Sequence, residues 1–266
     1  MIKITCLIEN TVYRGGLYAE HGLSFHIDTG THKILFDTGQ TGNFALNAPR
    51  LGIDVLQVDA VVLSHGHYDH TGGLAKFLEL NTKAKIFLKK EALWPKFNGT
   101  KEIGFIHENL KFDSRCKFVK GKTEIVPNVF VINSIPVVDN TDTHWKHFFT
   151  EKAEQKIPDC FNDELFLAIV EKNKMSVLSS CSHRGITNIM RAAIHNINLP
   201  IHLIAGGFHL KDSPPESIKP IVESFKLLKP DKIGVSHCTG LEHYELLKNV
   251  FPKETFYFHT GHSVEL

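Results

Sequence analysis

Residues 60–74, which read AVVLSHGHYDHTGGL, limit what this chain can be more than any other stretch. An apolar run typical of a buried strand leads into a loop that carries four side chains of ligand type, His65, His67, Asp69 and His70. Imidazole and carboxylate groups suit Zn, Fe, Mn or Ni. His65 and His67 can point the same way and bind one divalent ion, and Asp69 and His70 suit a second ion. We therefore predict a site for one or two metal ions, with zinc first, rather than a surface loop that binds nothing.

Size and charge favour a single globular domain that binds a small molecule. The 266 residues are 42% hydrophobic and include 19 Phe, which is ample for one large core, so we expect one domain over 1–266. Lys and Arg together number 30 and Asp and Glu 29, so the formal charge is only +1. A chain without a strong field or a basic patch is not expected to bind nucleic acid or a membrane surface.

Cysteine usage and the N-terminal stretch predict a cytoplasmic protein. The five cysteines are odd in number and scattered, and none forms a C-x-x-C motif, which argues against a disulfide framework. The first residues, MIKITCLIENT, read as a strand rather than as a signal peptide. No apolar run approaches the roughly 18 residues of a membrane span.

Hydrophobic period and turn signals predict many strands first and then alternating strands and helices. The predicted strands are 2–8, 23–27, 33–36, 60–63, 85–88, 117–119, 124–125, 129–132, 165–171, 175–180, 201–205, 232–235 and 255–258. The predicted helices are 43–51, 74–80, 89–93, 186–195, 215–228 and 241–249. This order suits two packed sheets with helices outside them.

Two inserts, at about 94–118 and 139–161, have no helical or strand period and are expected to be irregular. Their aromatic residues are Trp94, Phe97, Phe105, Phe112, Trp145, Phe148 and Phe149, and the first insert also holds the aliphatic Ile106. Long aperiodic inserts in a compact domain are often functional loops. We expect these two to line the entrance to the metal site, where they could stack a flat substrate, or to form a homodimer contact.

Three further predicted strands end in candidate ligands. They lead to Cys181-Ser-His183, to Gly-Gly-Phe-His209 and to Ser-His237-Cys238. Loops at strand ends on one edge of a sheet can converge on one point. We therefore expect His183 and His237 to bind metal, and His209 either to bind metal or to face the substrate. Asp37, in Phe-Asp-Thr-Gly after a strand, is expected to accept a proton from a ligating imidazole.

These motifs resemble those of the metallo-β-lactamase superfamily. The stretch from His65 to His70 resembles its H-x-H-x-D-H signature, and Glu9-Asn10, Phe36-Asp-Thr-Gly39 and His237-Cys-Thr-Gly240 resemble a branch labelled dihydropterin-ribofuranosylaminobenzene-phosphate synthase-like proteins. The resemblance covers nearly the whole chain. It implies an α/β, or α+β, fold of the αββα sandwich type.

The resemblance also implies roles for single residues. Asp69 is expected to hold an ion and to orient the nucleophile, and His237 resembles the superfamily's last ligand. Cys181 stands where the superfamily usually has an aspartate that bridges both ions, so it is either a bridging thiolate, a residue near the substrate or an inert buried cysteine. The usual third histidine is missing. Either His183 or Asp163 supplies the missing ligand, or one metal position is weak; we favour His183.

The function that these features predict is that of a metal-dependent enzyme acting on a phosphorylated or ester-like small molecule. The resembled branch implies a pterin-condensing synthase of a methanopterin-type pathway. The alternatives are a generic metal-dependent hydrolase, such as a phosphoesterase or a lactonase-like enzyme, and a metal-bound ligand sensor with little turnover. The missing third histidine is the feature that favours the sensor.

Overall fold

The computed structural model of the chain describes residues 1–105, 110 and 113–266. The chain splits into two compact units. The first consists of Met1–Val119, Trp145–Asp163 and His259–Leu266, and the second of Lys120–His144 and Glu164–Phe258. Each unit is described by itself below. That the whole chain forms one domain over 1–266 stays a prediction.

The described residues form eighteen strands and six α-helices. The strands are β1 (Lys3–Ile8), β2 (Ser24–Asp28), β3 (Lys33–Phe36), β4 (Ala60–Val62), β5 (Lys85–Leu88), β6 (Lys96–Asn98), β7 (Lys101–Glu102), β8 (Cys116–Phe118), β9 (Lys122–Val126), β10 (Val129–Ile132), β11 (Phe148–Lys152), β12 (Gln155–Pro158), β13 (Phe166–Glu171), β14 (Lys174–Ser179), β15 (Ile201–Gly206), β16 (Lys232–Val235), β17 (Thr255–Tyr257) and β18 (Ser263–Glu265). The helices are α1 (Asn43–Arg50), α2 (Tyr68–Thr71), α3 (Leu74–Leu80), α4 (Ile186–Ile197), α5 (Lys219–Leu228) and α6 (Leu241–Val250). Short 3₁₀ turns cover Val55–Gln57, Lys90–Leu93, Asn140–Asp142, Pro215–Ile218 and His237–Thr239.

The main sheet of the first unit has the strand order β18-β1-β2-β3-β4-β5-β8. Its first four strands pair antiparallel, and β3, β4, β5 and β8 run parallel. Phe44 of α1 and Phe77 of α3 are fully buried in one apolar cluster with Val61 and Ile86 of the central strands. Each such side chain contributes about 1.5–3 kcal/mol when it leaves water. This packing fixes the end of β4, from which the histidine-rich loop starts.

The sequence predicts that the inserts are irregular, and this prediction is wrong. The inserts supply a small antiparallel sheet in the first unit. Its order is β12-β11-β6-β7, with Phe149 of β11 opposite Phe97 of β6. Ala153 and Glu154 join β11 to β12 with φ of 49° and 64°. Two residues with positive φ form a two-residue hairpin turn, which usually has the sequence Asn-Gly or Asp-Gly. That sequence signal is missing here. Ile106 and Phe112 of the first insert lie outside the described residues.

The sheet of the second unit has the order β17-β16-β15-β14-β13-β10-β9. Strands β14 to β17 run parallel, so their carboxyl ends share one edge. The predicted apolar face of α4 is buried in the core of this unit, together with Phe208 and Phe225. The expected turn between β13 and β14 is formed by Lys172 and Asn173, with φ of 50° and 60°.

Most elements lie where the sequence predicts them. Strands β3, β5, β10 and β16 and helix α3 have the predicted bounds, whereas the predicted helix 215–228 is a 3₁₀ turn followed by α5. The short helix α2 and strand β18 were not predicted. None of the helices in the described part of the chain has the length and apolar content that crossing a bilayer requires.

Candidate metal centre

The histidine-rich loop of the first unit, residues 64–70, is called the metal loop below. It follows β4 and ends in α2, which carries Asp69 and His70. All four expected ligands of this loop are buried, with exposed fractions of 0% to 7%. The ring centroid of His65 lies 4.5 Å from that of His67 and 4.5 Å from that of His70. The structure thus brings three imidazoles together inside one unit.

Asp37 fixes the orientation of two of these imidazoles. Its Oδ2 lies 2.9 Å from Nδ1 of His70 and accepts a hydrogen bond of 2.7 Å from the Ser64 hydroxyl. The Ser64 oxygen also lies 2.8 Å from Nδ1 of His65. Since Ser64 donates its one hydrogen to Asp37, it accepts the hydrogen of His65 Nδ1. Both rings therefore present Nε2, with its lone pair, as the atom that can bind a metal ion.

Burial keeps His65 and His67 neutral, which a metal ligand requires. Desolvation lowers the pKa of His65 well below its ordinary value, with His70 and His67 adding to the effect. Desolvation also lowers the pKa of His67 to about 3, although Asp69 acts in the opposite direction. Asp69 Oδ2 lies 3.6 Å from His70 Nε2 and 3.2 Å from Nε2 of the half-exposed His21.

Asp163, the alternative third ligand, has other partners in the first unit. Its Oδ1 lies 3.0 Å from Lys96 Nζ, and its Oδ2 accepts the backbone N–H of Gly66 at 2.8 Å. Lys96 also lies 2.8 Å from Asp159, whose other oxygen accepts the N–H of Phe161. Burial raises the pKa of Asp163, but the Lys96 charge and both hydrogen bonds outweigh it and hold the pKa low. Asp163 therefore anchors the metal loop by accepting the backbone N–H of Gly66.

Two phenylalanines cover the imidazole of His67. The rings of Phe148 and Phe161 lie 5.3 Å and 5.2 Å from that of His67, and 5.4 Å from each other. Phe148 belongs to β11, so the insert sheet does reach the metal loop. Gly66 meets the carbonyl of Ala92 where a Cβ would stand, so a larger residue there would displace the loop.

The second unit holds a second group of expected ligands, at the carboxyl ends of β14, β15 and β16. Cys181 and His183 follow β14, His209 follows β15 and His237 follows β16. The ligand atoms of Cys181, His183 and His209 lie within 4.8 Å of one another, and so do those of Cys181, His237 and Cys238. His209 and His237 adopt left-handed backbone conformations, with φ of 53° and 51°. Strained residues of this kind occur often at functional sites.

Glu164 and the backbone carbonyl of His144, both in the second unit, position His183. Glu164 accepts the backbone N–H groups of His183 and Arg184, at 2.7 Å and 2.8 Å. Nδ1 of His183 lies 3.1 Å from the carbonyl oxygen of His144. A carbonyl only accepts, so Nδ1 carries the hydrogen and Nε2 is again the atom that can bind metal.

Several of these residues were missed in the sequence. Ser64 and Cys238 adjoin predicted ligands and could have been found on that ground. Lys96 and Asp159 lie in stretches without a hydrophobic period, and nothing in the sequence signalled their role.

Burial raises the pKa of Cys238, but a hydrogen bond with Cys181 and the neighbouring His237 and His209 lower it well below its usual value.

Comparison with known proteins decides the family. The model of the metallo-beta-lactamase superfamily matches residues 17–147. A solved structure described as a metal-dependent hydrolase of the beta-lactamase superfamily is 34% identical, covers 100% of this chain and 99% of its own, and superposes with a TM-score of 0.89. The chain belongs to the metallo-beta-lactamase superfamily. The predicted fold class is thereby confirmed.

Two curated relatives, both from Methanocaldococcus jannaschii, match over nearly their whole length. One is a 7,8-dihydropterin-6-methyl-4-(beta-D-ribofuranosyl)-aminobenzene-5'-phosphate synthase, 29% identical over 98% of this chain and 95% of that protein. The other is an uncharacterized protein, 31% identical over 91% of each chain. The resemblance to the synthase branch is thereby confirmed as well.

The donor set fits the metal ions that this superfamily generally binds. Within the metal loop, buried neutral imidazoles stand beside a carboxylate, and hydrogen bonds fix Nε2 as the ligand atom of His65 and His70. Such a set suits divalent transition metals rather than Mg²⁺ or Ca²⁺, which prefer oxygen.

Proposed function

We propose that this chain is a metal-dependent enzyme that acts on a phosphorylated or ester-like small molecule, with zinc as the first candidate ion. The observation that carries the proposal is the metal loop, where three imidazoles meet and Asp37 and Ser64 orient two of them. Hydrogen-bonded carboxylates that orient imidazoles are typical of metal sites and would have little use in a plain core. When bound, divalent ions polarise a substrate oxygen and lower the pKa of water.

Each residue of the metal loop takes a defined part in this proposal. His65, His67, Asp69 and His70 hold the metal, and Asp37 keeps His70 in the correct tautomer. The Asp69 carboxylate also orients the attacking water and accepts a proton from it. Phe148 and Phe161 exclude bulk water from one side of His67.

We also propose His183 and His237 of the second unit as ligands, and His209 as a residue beside the substrate. For the missing third histidine we favour His183 over Asp163. The reason is that Lys96 and the Gly66 amide already occupy both oxygens of Asp163.

The ligand choice gives a direct prediction. His183→Ala is expected to lower the bound metal more than Asp163→Asn, because only the first removes a ligand atom. Elemental analysis of both variants after dialysis into metal-free buffer, with circular dichroism as the control for folding, checks this. Metal loss in Asp163→Asn with retention in His183→Ala would show that Asp163 is the ligand.

A second candidate reaction is the condensation for which the 29% identical relative is named. There the aminobenzene nucleophile would bond to a pterin methylene carbon while the bond from that carbon to diphosphate breaks. Phe148, in contact with His67, offers one aromatic face near the metal loop that could stack a flat ring.

One set of assays separates these reactions. We expect the zinc-loaded protein to hydrolyse a generic phosphodiester, phosphomonoester or aryl ester, or to release diphosphate from a dihydropterin methyl diphosphate when the aminobenzene riboside phosphate is present. Diphosphate release that requires both substrates would select the synthase reaction. A fully metal-loaded protein that turns over none of these compounds would contradict the enzyme proposal and favour a ligand sensor.

A further inference from the structure

Two cysteine thiols lie together in the second unit, beside a histidine. Cys181 follows β14 and Cys238 follows β16, and their exposed fractions are only 3% and 8%. The Cys238 sulfur lies 3.7 Å from the carbonyl oxygen of Cys181. The two sulfurs and one ring nitrogen of His237 all lie within 4.8 Å of one another. Neither sulfur forms a disulfide bond.

The backbone around this cluster holds the sulfurs in a confined place. A Cβ at Gly207 would collide with the sulfur of Cys238, so glycine is required where β15 ends. His237 has a left-handed φ of 51°, which turns the chain sharply between β16 and Cys238. Such strain persists only where the surroundings enforce it, and it is frequent at ligand sites.

The spacing suits one tetrahedral ion. Zinc binds thiolates at about 2.3 Å and imidazole nitrogens at about 2.0–2.1 Å, so two sulfurs on one ion stand roughly 3.8 Å apart. The observed limit of 4.8 Å requires only small movements to reach that geometry. Cys6, the buried cysteine of the first unit, differs, because it belongs to none of the groups of three candidate ligand atoms among the described residues, and burial raises its pKa well above the usual value.

We infer that Cys181 and Cys238 are both thiolate ligands of a metal ion that His237 also binds. This inference rests on the proposed function in that the chain must bind metal. It deepens that proposal by adding a soft ligand pair to the histidine ligands proposed in the second unit. Thiolates select Zn, Co, Cd or Fe over Mg and Mn, so the pair would set which metal the enzyme uses.

Cobalt substitution tests the inference without relying on activity. The apoprotein is loaded with Co²⁺ under reducing conditions, its cobalt content is measured, and its near-ultraviolet spectrum is recorded. We expect an intense thiolate-to-cobalt charge-transfer band in the wild type. The band should weaken in Cys181→Ser and in Cys238→Ser and disappear in the double variant. Cys160→Ser, at an exposed cysteine of the first unit, serves as the matched control and should keep the band.

If a variant fails to fold, the wild-type spectrum still tests whether any thiolate binds the metal, and the other single variant and Cys160→Ser assign the band. Bound cobalt without a charge-transfer band would overturn the thiolate inference and leave the proposed hydrolase or synthase activity standing. A band that survives in the double variant would overturn it as well. No cobalt binding at all would overturn both proposals, and the cobalt content distinguishes that outcome from the first two.

Discussion

The Lys96 ammonium lies between two carboxylates of the first unit, 2.8 Å from Asp159 and 3.0 Å from Asp163. All three side chains are buried. Asp163 in turn accepts the Gly66 amide of the metal loop. At the scale of single residues, the position of the loop therefore depends on a lysine more than twenty-five positions further along the chain.

Lys96→Met tests this dependence. The change leaves two carboxylates buried without their cation, so we expect the free energy of unfolding to fall by about 3–5 kcal/mol. Urea titration of the metal-free protein measures it. Lys152→Met, at an exposed lysine whose ammonium lies over Trp94, is the matched control and should change stability little. Equal stability of the two variants would contradict the role of Lys96.

The candidate ligands could be predicted from sequence because they are local. The loop ligands lie within six consecutive positions after an apolar run, so they are close together in any fold of the chain. They are His65, His67, Asp69 and His70. Asp37, which orients His70, was predicted as well, but the residues that anchor the loop backbone could not be predicted in this way. Lys96 and Asp159 meet only after β6 and β11 have paired, and neither residue type signals such a contact.

At the scale of elements, regular strands and amphipathic helices followed from period and turn chemistry. The insert sheet did not, for two physical reasons. Its strands are two to five residues long, too short to show an alternation. Its β11–β12 turn uses Ala153 and Glu154, residue types that carry no hairpin signal.

Strand β11 offers a test of the insert sheet with adjacent residues. Phe148 contacts His67 and Phe161, whereas Phe149 lies 5.2 Å from Lys156 Nζ. Successive strand residues point to opposite faces. We therefore expect Phe148→Ala to lower kcat/KM, and Phe149→Ala to leave it unchanged, in steady-state assays with whichever substrate the protein turns over. Metal content is measured alongside. A larger loss of kcat/KM in Phe149→Ala than in Phe148→Ala would contradict a role near the substrate for the face of β11 that carries Phe148.

At the scale of the whole molecule, the fold class followed from motifs spread over the chain, and the TM-score of 0.89 to a superfamily member confirms it. The substrate did not follow, because superfamily motifs report on metal ligands and not on the walls around them. The motifs also carry no information on subunit contacts, so the homodimer stays a prediction. The central claim for the molecule is therefore that it binds a transition metal through residues 64–70.

Metal content per folded chain tests this claim most directly. Wild type, His67→Ala and His195→Ala are reconstituted with Zn²⁺, freed of loose ions and analysed for zinc, with circular dichroism recorded on each. His195 is an exposed histidine of α4 and serves as the matched control. We predict bound zinc in wild type and His195→Ala, and a loss of zinc in His67→Ala with an unchanged spectrum. Full zinc occupancy in His67→Ala, or none in the wild type, would contradict the metal site.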